Sequence, residues 1–119
     1  MADTLHPAGK NAAMDGIKSE IQGIILYNSA GTNLSSETVT ASDFTVETDG
    51  TLKNSTAIDF SIGSGAVGET ATYVTLVGSA ESPGDTPPLE LITIDLDATV
   101  TLTTEGTATF AIGDLTADL

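Results

Sequence analysis

The chain has 119 residues, enough for one domain, and it contains neither cysteine nor tryptophan. Disulfides and thiolate metal sites are therefore excluded, and no apolar run approaches the roughly 20 residues of a membrane-spanning helix. The 17 acidic residues and three Lys or Arg residues give a formal net charge of −14. This balance argues against a nucleic-acid partner, because phosphate backbones need clusters of Lys and Arg.

The acidity has two open explanations. One is adaptation to high salt, where ions screen repulsion over only about 3 Å at 1 M and a dense acidic surface keeps the protein hydrated. The other is an ordinary acidic protein with a basic partner. Basic residues are scarce along the whole chain rather than in one tail, and this distribution favours adaptation to salt.

An alanine-rich segment follows Pro7, a residue that fits the first turn of a helix. The helix formers in it predict a short helix over residues 8–17, with Ala13, Met14 and Ile17 on one apolar face. We expect residues 1–20 to form an arm and this helix, packed on the rest of the molecule or on a neighbouring subunit. Residues 21–119 are expected to form a β-sandwich domain.

From residue 21 onward apolar and polar residues alternate, which is the period of half-buried strands. We predict strands at 21–28, 37–48, 56–62 and 71–78, and three more within 89–112. Turn signals separate them: residues 29–33, the Asp49 and Gly50 pair, a glycine-rich loop at 63–68, a loop at 79–88, and Glu105 with Gly106. Seven to eight short strands with this spacing predict an all-β protein, an antiparallel β-sandwich or jelly roll with a short N-terminal helix.

The predicted core depends on isoleucine, leucine and valine, because large aromatic side chains are few. Five are available: Phe44, Phe60, Phe110, Tyr27 and Tyr73. Apolar positions near the C-terminal end of the chain, Ile112 among them, are predicted to alternate into the same core.

Candidates for a chemical site are few. His6 is the only histidine, and we expect it to be a surface residue rather than a ligand or a base. Asp95 and Asp97 are predicted to share one face of a strand about 7 Å apart, and Asp114 could approach them to form an oxygen-lined cation site. In a chain this acidic we expect a solvated face instead. We therefore predict no catalytic, cofactor-binding or metal-binding residues and no enzymatic activity.

Four segments, in order along the chain, resemble a family of small structural proteins of tailed viruses, which includes tail-fibre-like and head-decoration-like proteins. They are AGKNAAMDGI at 8–17, GTLKNSTAIDFSIGSG at 50–65, TYVTLVGSA at 72–80 and FAIGDLTADL at 110–119. Together with the acidity, the resemblance implies a virus of a halophilic archaeon.

The function implied by this resemblance is that of a non-enzymatic virion structural protein, a capsid decoration or turret subunit on the particle surface. It would act by multivalent docking to the major capsid protein or other virion proteins, and to further copies of itself. The alternative is a tail, baseplate or tail-fibre subunit; a more distant one is a soluble carbohydrate- or calcium-binding module. No nucleic acid, membrane or small-molecule substrate is expected, and the expected location is the virion, after assembly in the host cytoplasm.

Overall fold

The computed structural model describes residues 6–78 and 90–118, which form one α-helix and nine β-strands. In chain order these are α1 (Pro7–Ser19), β1 (Gly23–Asn28), β2 (Asn33–Thr38), β3 (Phe44–Val46), β4 (Leu52–Asn54), β5 (Ile58–Ile62), β6 (Thr70–Val77), β7 (Glu90–Thr101), β8 (Gly106–Phe110) and β9 (Thr116–Ala117). Every strand pair is antiparallel. The predicted all-β sandwich with a short N-terminal helix is confirmed, and it has nine strands within the described residues where seven to eight were predicted.

The helix α1 begins at Pro7, whose fixed φ and missing N–H suit the first turn, and it ends at Ser19. Its contact with the sandwich is a narrow stripe. Met14 is fully buried and Ile17 is half-buried, whereas Ala13 is exposed. The predicted apolar face is right for the two larger side chains and wrong for Ala13, because only the longer side chains reach the strands beneath.

One layer of the sandwich is a four-stranded sheet in the order β2-β1-β6-β7. Its inner face is made of aliphatic side chains that are nearly or fully buried, as the alternation in the sequence indicates: Ile24, Leu26, Val74, Leu76 and Ile94. Because β1 and β6 are the central strands of this sheet, their pairing fixes the position of β2 and β7 at its two edges.

The other layer consists of the pair β5-β8 and the three strands β3-β4-β9. The strand β5 follows β4 in the chain, and β9 follows β8, so the same two chain segments pair twice with an interruption between. Along β5, Ile58, Phe60 and Ile62 are buried and alternate with exposed Asp59 and Ser61.

The aromatic residues divide between the core and the surface. Phe44, Phe60 and Phe110 are buried, and the rings of Phe60 and Phe110 meet edge to face with centroids 5.7 Å apart. Such a pair adds about 0.5–1.5 kcal/mol to its area burial. Tyr27 and Tyr73 are half-buried and stack on each other outside the core cluster.

The segment predicted as one strand at 37–48 is interrupted. The strand β2 ends at Thr38, a short 3₁₀ turn covers Ala41–Asp43, and β3 begins at Phe44. The N–H of Thr40 donates to the Asp43 carboxylate at 2.9 Å, and the N–H of Asp43 donates back to the Thr40 carbonyl at 3.0 Å. This reciprocal cap stabilises a turn that hydrophobic alternation does not reveal.

The C-terminal third also differs from expectation. Residues 89–112 contain two strands rather than three, because β7 continues through the polar residues of IDLDATVT to Thr101. Ile112 is 66% exposed, since the chain turns after β8, and the two-residue strand β9 follows that turn. The predicted loop at 79–88 lies outside the described residues.

Candidate docking site

The helix α1 is fixed to the hairpin that joins β3 and β4. The side-chain amide of Asn11 donates to the carbonyl of Glu47 at 2.7 Å. Gly50, in the turn of that hairpin, has φ +89° and lies directly under Lys10, so that a Cβ at position 50 would overlap Lys10 Cβ and lie 2.9 Å from its carbonyl carbon. Only glycine fits both the backbone conformation and the close approach.

Asn54 is a fully buried amide at the interruption of the second layer. Its Nδ2 donates to the carbonyls of Thr56 and Ala111, both at 2.9 Å. Its Oδ1 accepts from the N–H groups of Gly113 at 3.1 Å and Leu115 at 3.0 Å. The amide therefore uses two donors and two acceptors, which is its full capacity. It adds to the backbone bonds at this place, from the N–H of Asn54 to the carbonyl of Leu115 and from the N–H of Gly113 to the carbonyl of Asn54.

Three of the four quoted segments meet through these contacts. Residues 8–17 lie on the hairpin that ends at Gly50, and residues 50–65 are joined through Asn54 to residues 110–119. Sequence reasoning quoted these segments but did not assign a role to Asn54. The available signal is a polar amide within a run of core positions, between Leu52 and Ile58. Within these segments, Asn11, Gly50 and Asn54 therefore stabilise the framework of the fold.

One side of the sandwich is closed. The hydroxyl of Ser35 on β2 donates to the carbonyl of Ser61 on β5 at 2.8 Å, and the N–H of Ser61 donates to the Glu37 carboxylate at 2.8 Å. These contacts connect the β2 edge of the four-stranded sheet to β5 in the other layer.

The opposite side of the sandwich is open and forms a groove of about 380 Å³ between β7 and β8. We call it the open-side groove. Its apolar wall consists of Leu96, Ala98, Val100, Ala108 and Phe110, and Asp97 and Asp114 also line it. Within the described residues β7 pairs only with β6, and β8 pairs only with β5. Two strand edges with unpaired backbone therefore lie beside the groove.

The ladder between β6 and β7 is irregular at the same place. Ala71 is opposite Val100 and Tyr73 is opposite Asp95, so the four residues 96–99 of β7 stand against the single residue Thr72 of β6 in a bulge. The hydroxyl oxygen of Thr72, within the bulge, is buried and has no hydrogen-bond partner among the described residues. Bulges of this kind re-aim side chains and end regular pairing at sheet edges.

The predicted site residues are spread over the molecule. His6 is exposed at the start of α1. Asp97 and Asp114 both line the open-side groove, and one oxygen of Asp114 accepts from the N–H of Ala111 at 2.9 Å. Asp95 lies opposite Tyr73 in the sheet and does not line the groove. Across residues 6–78 and 90–118, no group of three or more His, Cys, Asp or Glu side chains is arranged to hold a metal ion.

A row of polar and aromatic residues crosses the outer face of the four-stranded sheet. Asn33, Tyr27, Tyr73 and Asp95 are cross-strand neighbours in that order. The tyrosine rings stack with centroids 5.0 Å apart and an angle of 17° between their planes. Burial raises the pKa of Tyr27 above its ordinary value, and the negative charge of Glu90 adds to the effect. Tyr27 is therefore a neutral phenol at physiological pH.

No charged side chain of residues 6–78 and 90–118 is buried. The only buried polar side chains of the described chain are Ser35, Asn54 and Thr75. One ion pair is present there, between Lys53 and Glu47 at 2.5 Å. Hydrogen bonding from Thr51, chiefly its backbone N–H, lowers the pKa of the Asp49 carboxyl below its ordinary value. The surface is thus dominated by negative charge with few compensating cations.

No helix in the described parts of the chain is long and apolar enough to span a bilayer. No protein-family model, no curated protein and no solved structure matches the chain. The resemblance of the four quoted segments to virion proteins therefore stays a prediction.

Proposed function

We propose that this protein is a non-enzymatic structural component of a tailed virus, a capsid decoration or turret subunit present in many copies on the particle surface. It acts by docking to neighbouring capsid proteins and to further copies of itself. It is assembled into the virion in the host cytoplasm. An acidic surface of this kind suits a particle that persists in brine.

The observation that carries the proposal is the open side of the sandwich. A strand edge with unpaired N–H and C=O groups is a template for another chain, and two such edges lie beside one apolar groove. The opposite side is closed by contacts between β2 and β5. The two sides of the sandwich therefore differ, and the side between β7 and β8 is the one that offers an apolar groove beside two strand edges.

A second observation supports the same class of function. The residues that carry the resemblance, Asn11, Gly50 and Asn54 among them, position α1 and close the second layer. They stabilise a framework and do not themselves form the open-side groove. This distribution suits a scaffold protein.

The proposal is tested by locating the chain on the particles whose genome encodes it. An antibody raised against the purified protein should label intact particles in electron micrographs, with gold distributed over the head. Gold confined to the tail tip or baseplate would favour the alternative of a tail, baseplate or tail-fibre subunit. Particles free of label, with the chain recovered only in the unassembled fraction, would contradict a virion function.

The tyrosine row favours a second candidate, a carbohydrate-binding module. Tyr27 and Tyr73 are partly exposed aromatic rings flanked by the polar side chains of Asn33 and Asp95. Aromatic surfaces with nearby hydrogen-bonding groups suit sugar rings, because one side of a sugar is apolar and its rim is polar. A glycan array tests this candidate. Binding that is lost in Tyr73→Ala but kept in the groove variant Asp97→Asn supports it. If the unaltered protein binds no glycan on the array, the candidate is ruled out.

A further inference from the structure

The open-side groove has the shape and chemistry to bind an extended chain. The free edges of β7 and β8 require a partner with regularly spaced backbone donors and acceptors, which an extended strand supplies. The bulge at 96–99 presents backbone that is not paired with β6. An added strand can therefore use these groups without displacing any existing ladder.

The groove wall specifies the side chains of such a segment. Leu96, Val100, Ala108 and Phe110 give it an apolar surface. Successive side chains of a strand point to opposite faces, so alternate residues of a bound segment would enter the groove and should be apolar. The volume of about 380 Å³ suits a few small or medium side chains rather than a globular element.

The charge of the groove selects the sign of the partner. Asp97 and Asp114 are the charged residues that line it, and both are acidic. A second copy of this chain would bring its own formal net charge of −14 to the contact, and like charges oppose such an approach. A segment with Lys or Arg side chains complements the groove instead.

We propose, on the basis of the virion function above, that the open-side groove binds an extended basic segment of a partner virion protein. The segment adds along the free edge of β7, places alternate apolar side chains against Leu96 and Phe110, and directs a basic side chain to Asp97 and Asp114. The contact joins protein to protein without any covalent step.

A synthetic peptide of eight residues, alternating valine and lysine with both ends blocked, is the probe. Its binding is measured by calorimetry in 0.2 M sodium chloride, beside a peptide with glutamate at every lysine position and one with proline at two central positions. We expect saturable one-to-one binding of the first peptide and none of the other two. Equal binding of the proline peptide would overturn strand addition, and equal binding of the glutamate peptide would overturn the charge assignment.

Two protein variants test whether the peptide binds in the groove. Asp97→Asn with Asp114→Asn should weaken binding at least about tenfold, because it removes the two rim charges. Its matched control, Asp15→Asn with Glu20→Gln, removes the same number of charges from exposed residues on and just after α1 and should change binding less than about twofold. If both variants weakened peptide binding equally, the loss would come from net charge alone, and the groove would not be the binding site.

Ala98→Pro tests the edge itself. Ala98 is exposed and lies in the bulge, so proline removes an N–H there without breaking the β6–β7 ladder. We expect an unchanged melting temperature and lost peptide binding. If the chain labels particles but Ala98→Pro attaches to them as well as the unaltered protein, the groove assignment fails and the virion function stands. If the peptide binds in the groove but the chain is never found on particles, the virion function fails alone.

Discussion

Asn54 shows how one side chain determines whether two strand segments form a single layer. Its amide bonds to four backbone groups between residues 56 and 115, and it has no exposed surface. A buried polar group is favourable only when its hydrogen bonds are complete, and here they are. An apolar residue at position 54 would leave the Thr56 carbonyl and the Leu115 N–H unpaired within the described structure. The other two groups, the N–H of Gly113 and the carbonyl of Ala111, each keep a further backbone bond.

Replacing Asn54 should therefore be among the most damaging changes in the molecule. Asn54→Ala leaves the buried N–H of Leu115 and the carbonyl of Thr56 without their side-chain partner. We expect a loss of about 2–3 kcal/mol in the free energy of unfolding. Urea denaturation in molar salt measures it. The matched control is Asn33→Ala, at an exposed asparagine bonded only to Ser36 in the described structure, with an expected change within about 0.5 kcal/mol. Similar losses for both variants would show that Asn54 has no special role.

Asn54→Asp separates shape from hydrogen bonding. The carboxyl group keeps the shape of the amide but, when ionised, loses both donors. Burial raises the pKa of such a carboxyl, so the variant should be least stable at neutral pH and should recover as the pH falls and the group gains its proton. A variant whose deficit is the same at pH 7 and pH 4 would not fit this assignment.

Individual residues show which parts of the core and of the candidate site could be predicted from the sequence. The alternation of apolar and polar residues predicted correctly that Ile58, Phe60 and Ile62 are buried, because every second side chain of a strand points to the same face. The sequence also suggests an approach of Asp114 to Asp97, but it does not identify the open-side groove that both line, which depends on the bulge in β7 and the turn after β8. Neither the bulge nor the turn produces a repeating pattern of apolar residues in the sequence.

At the scale of elements, the attachment of α1 depends on the close approach of its first turns to the β3–β4 hairpin. Gly50 provides the space for Lys10, and Asn11 bonds to Glu47. The helix itself was predictable from its alanine-rich composition and Pro7. Its docking position was not, because no local signal connects residue 10 with residue 50.

Two glycines test this docking as a matched pair. Gly50 and Gly68 have φ values of +89° and +91°, but a Cβ at Gly68 would meet nothing within 4 Å. Gly68→Ala should cost about 1–2 kcal/mol for the left-handed backbone alone. Gly50→Ala should cost at least about 1 kcal/mol more, because the added methyl group collides with α1. Thermal unfolding followed by circular dichroism compares them, and equal losses would mean that α1 does not rest on the hairpin.

The strand predictions succeeded where one face is continuously buried. β5 follows its apolar alternation closely, and the last four residues of β6 are all buried. The segment at 37–48 is instead split by the reciprocal cap between Thr40 and Asp43. β7 runs through polar residues that alternation assigns to a break, because an edge strand needs pairing on one side only. Tertiary contacts, rather than local pattern, decide these boundaries.

The large negative charge affects both the stability and the association of the whole molecule. A formal net charge of −14 on 12.0 kDa is spread over a surface with one ion pair in the described chain. In dilute buffer the screening length reaches about 30 Å at 0.01 M, so that each carboxylate is exposed to the field of most others. The compact state is then disfavoured, and copies of the chain repel each other.

We therefore expect the midpoint of thermal unfolding to rise steadily between dilute buffer and molar sodium or potassium chloride, and any oligomer to dissociate at low salt. Scans at several salt concentrations measure it, with Asp15→Asn and Glu20→Gln together as a variant whose midpoint should rise less steeply. A flat or falling midpoint would remove the explanation of the acidity by high salt. It would leave the virion proposal intact, because that proposal rests on the quoted segments and the open side.

Rebinding of the purified protein to its particle tests most directly whether the chain is a docking subunit, which is the central claim. Particles from which the chain has been removed are mixed in molar salt with increasing amounts of the purified protein, and the bound copies per particle are counted after sedimentation. We expect saturable binding at a fixed number of copies, and loss of that binding in Ala98→Pro follows if the groove is the contact. Protein that stays in the supernatant at every concentration, although it is folded, would contradict the claim.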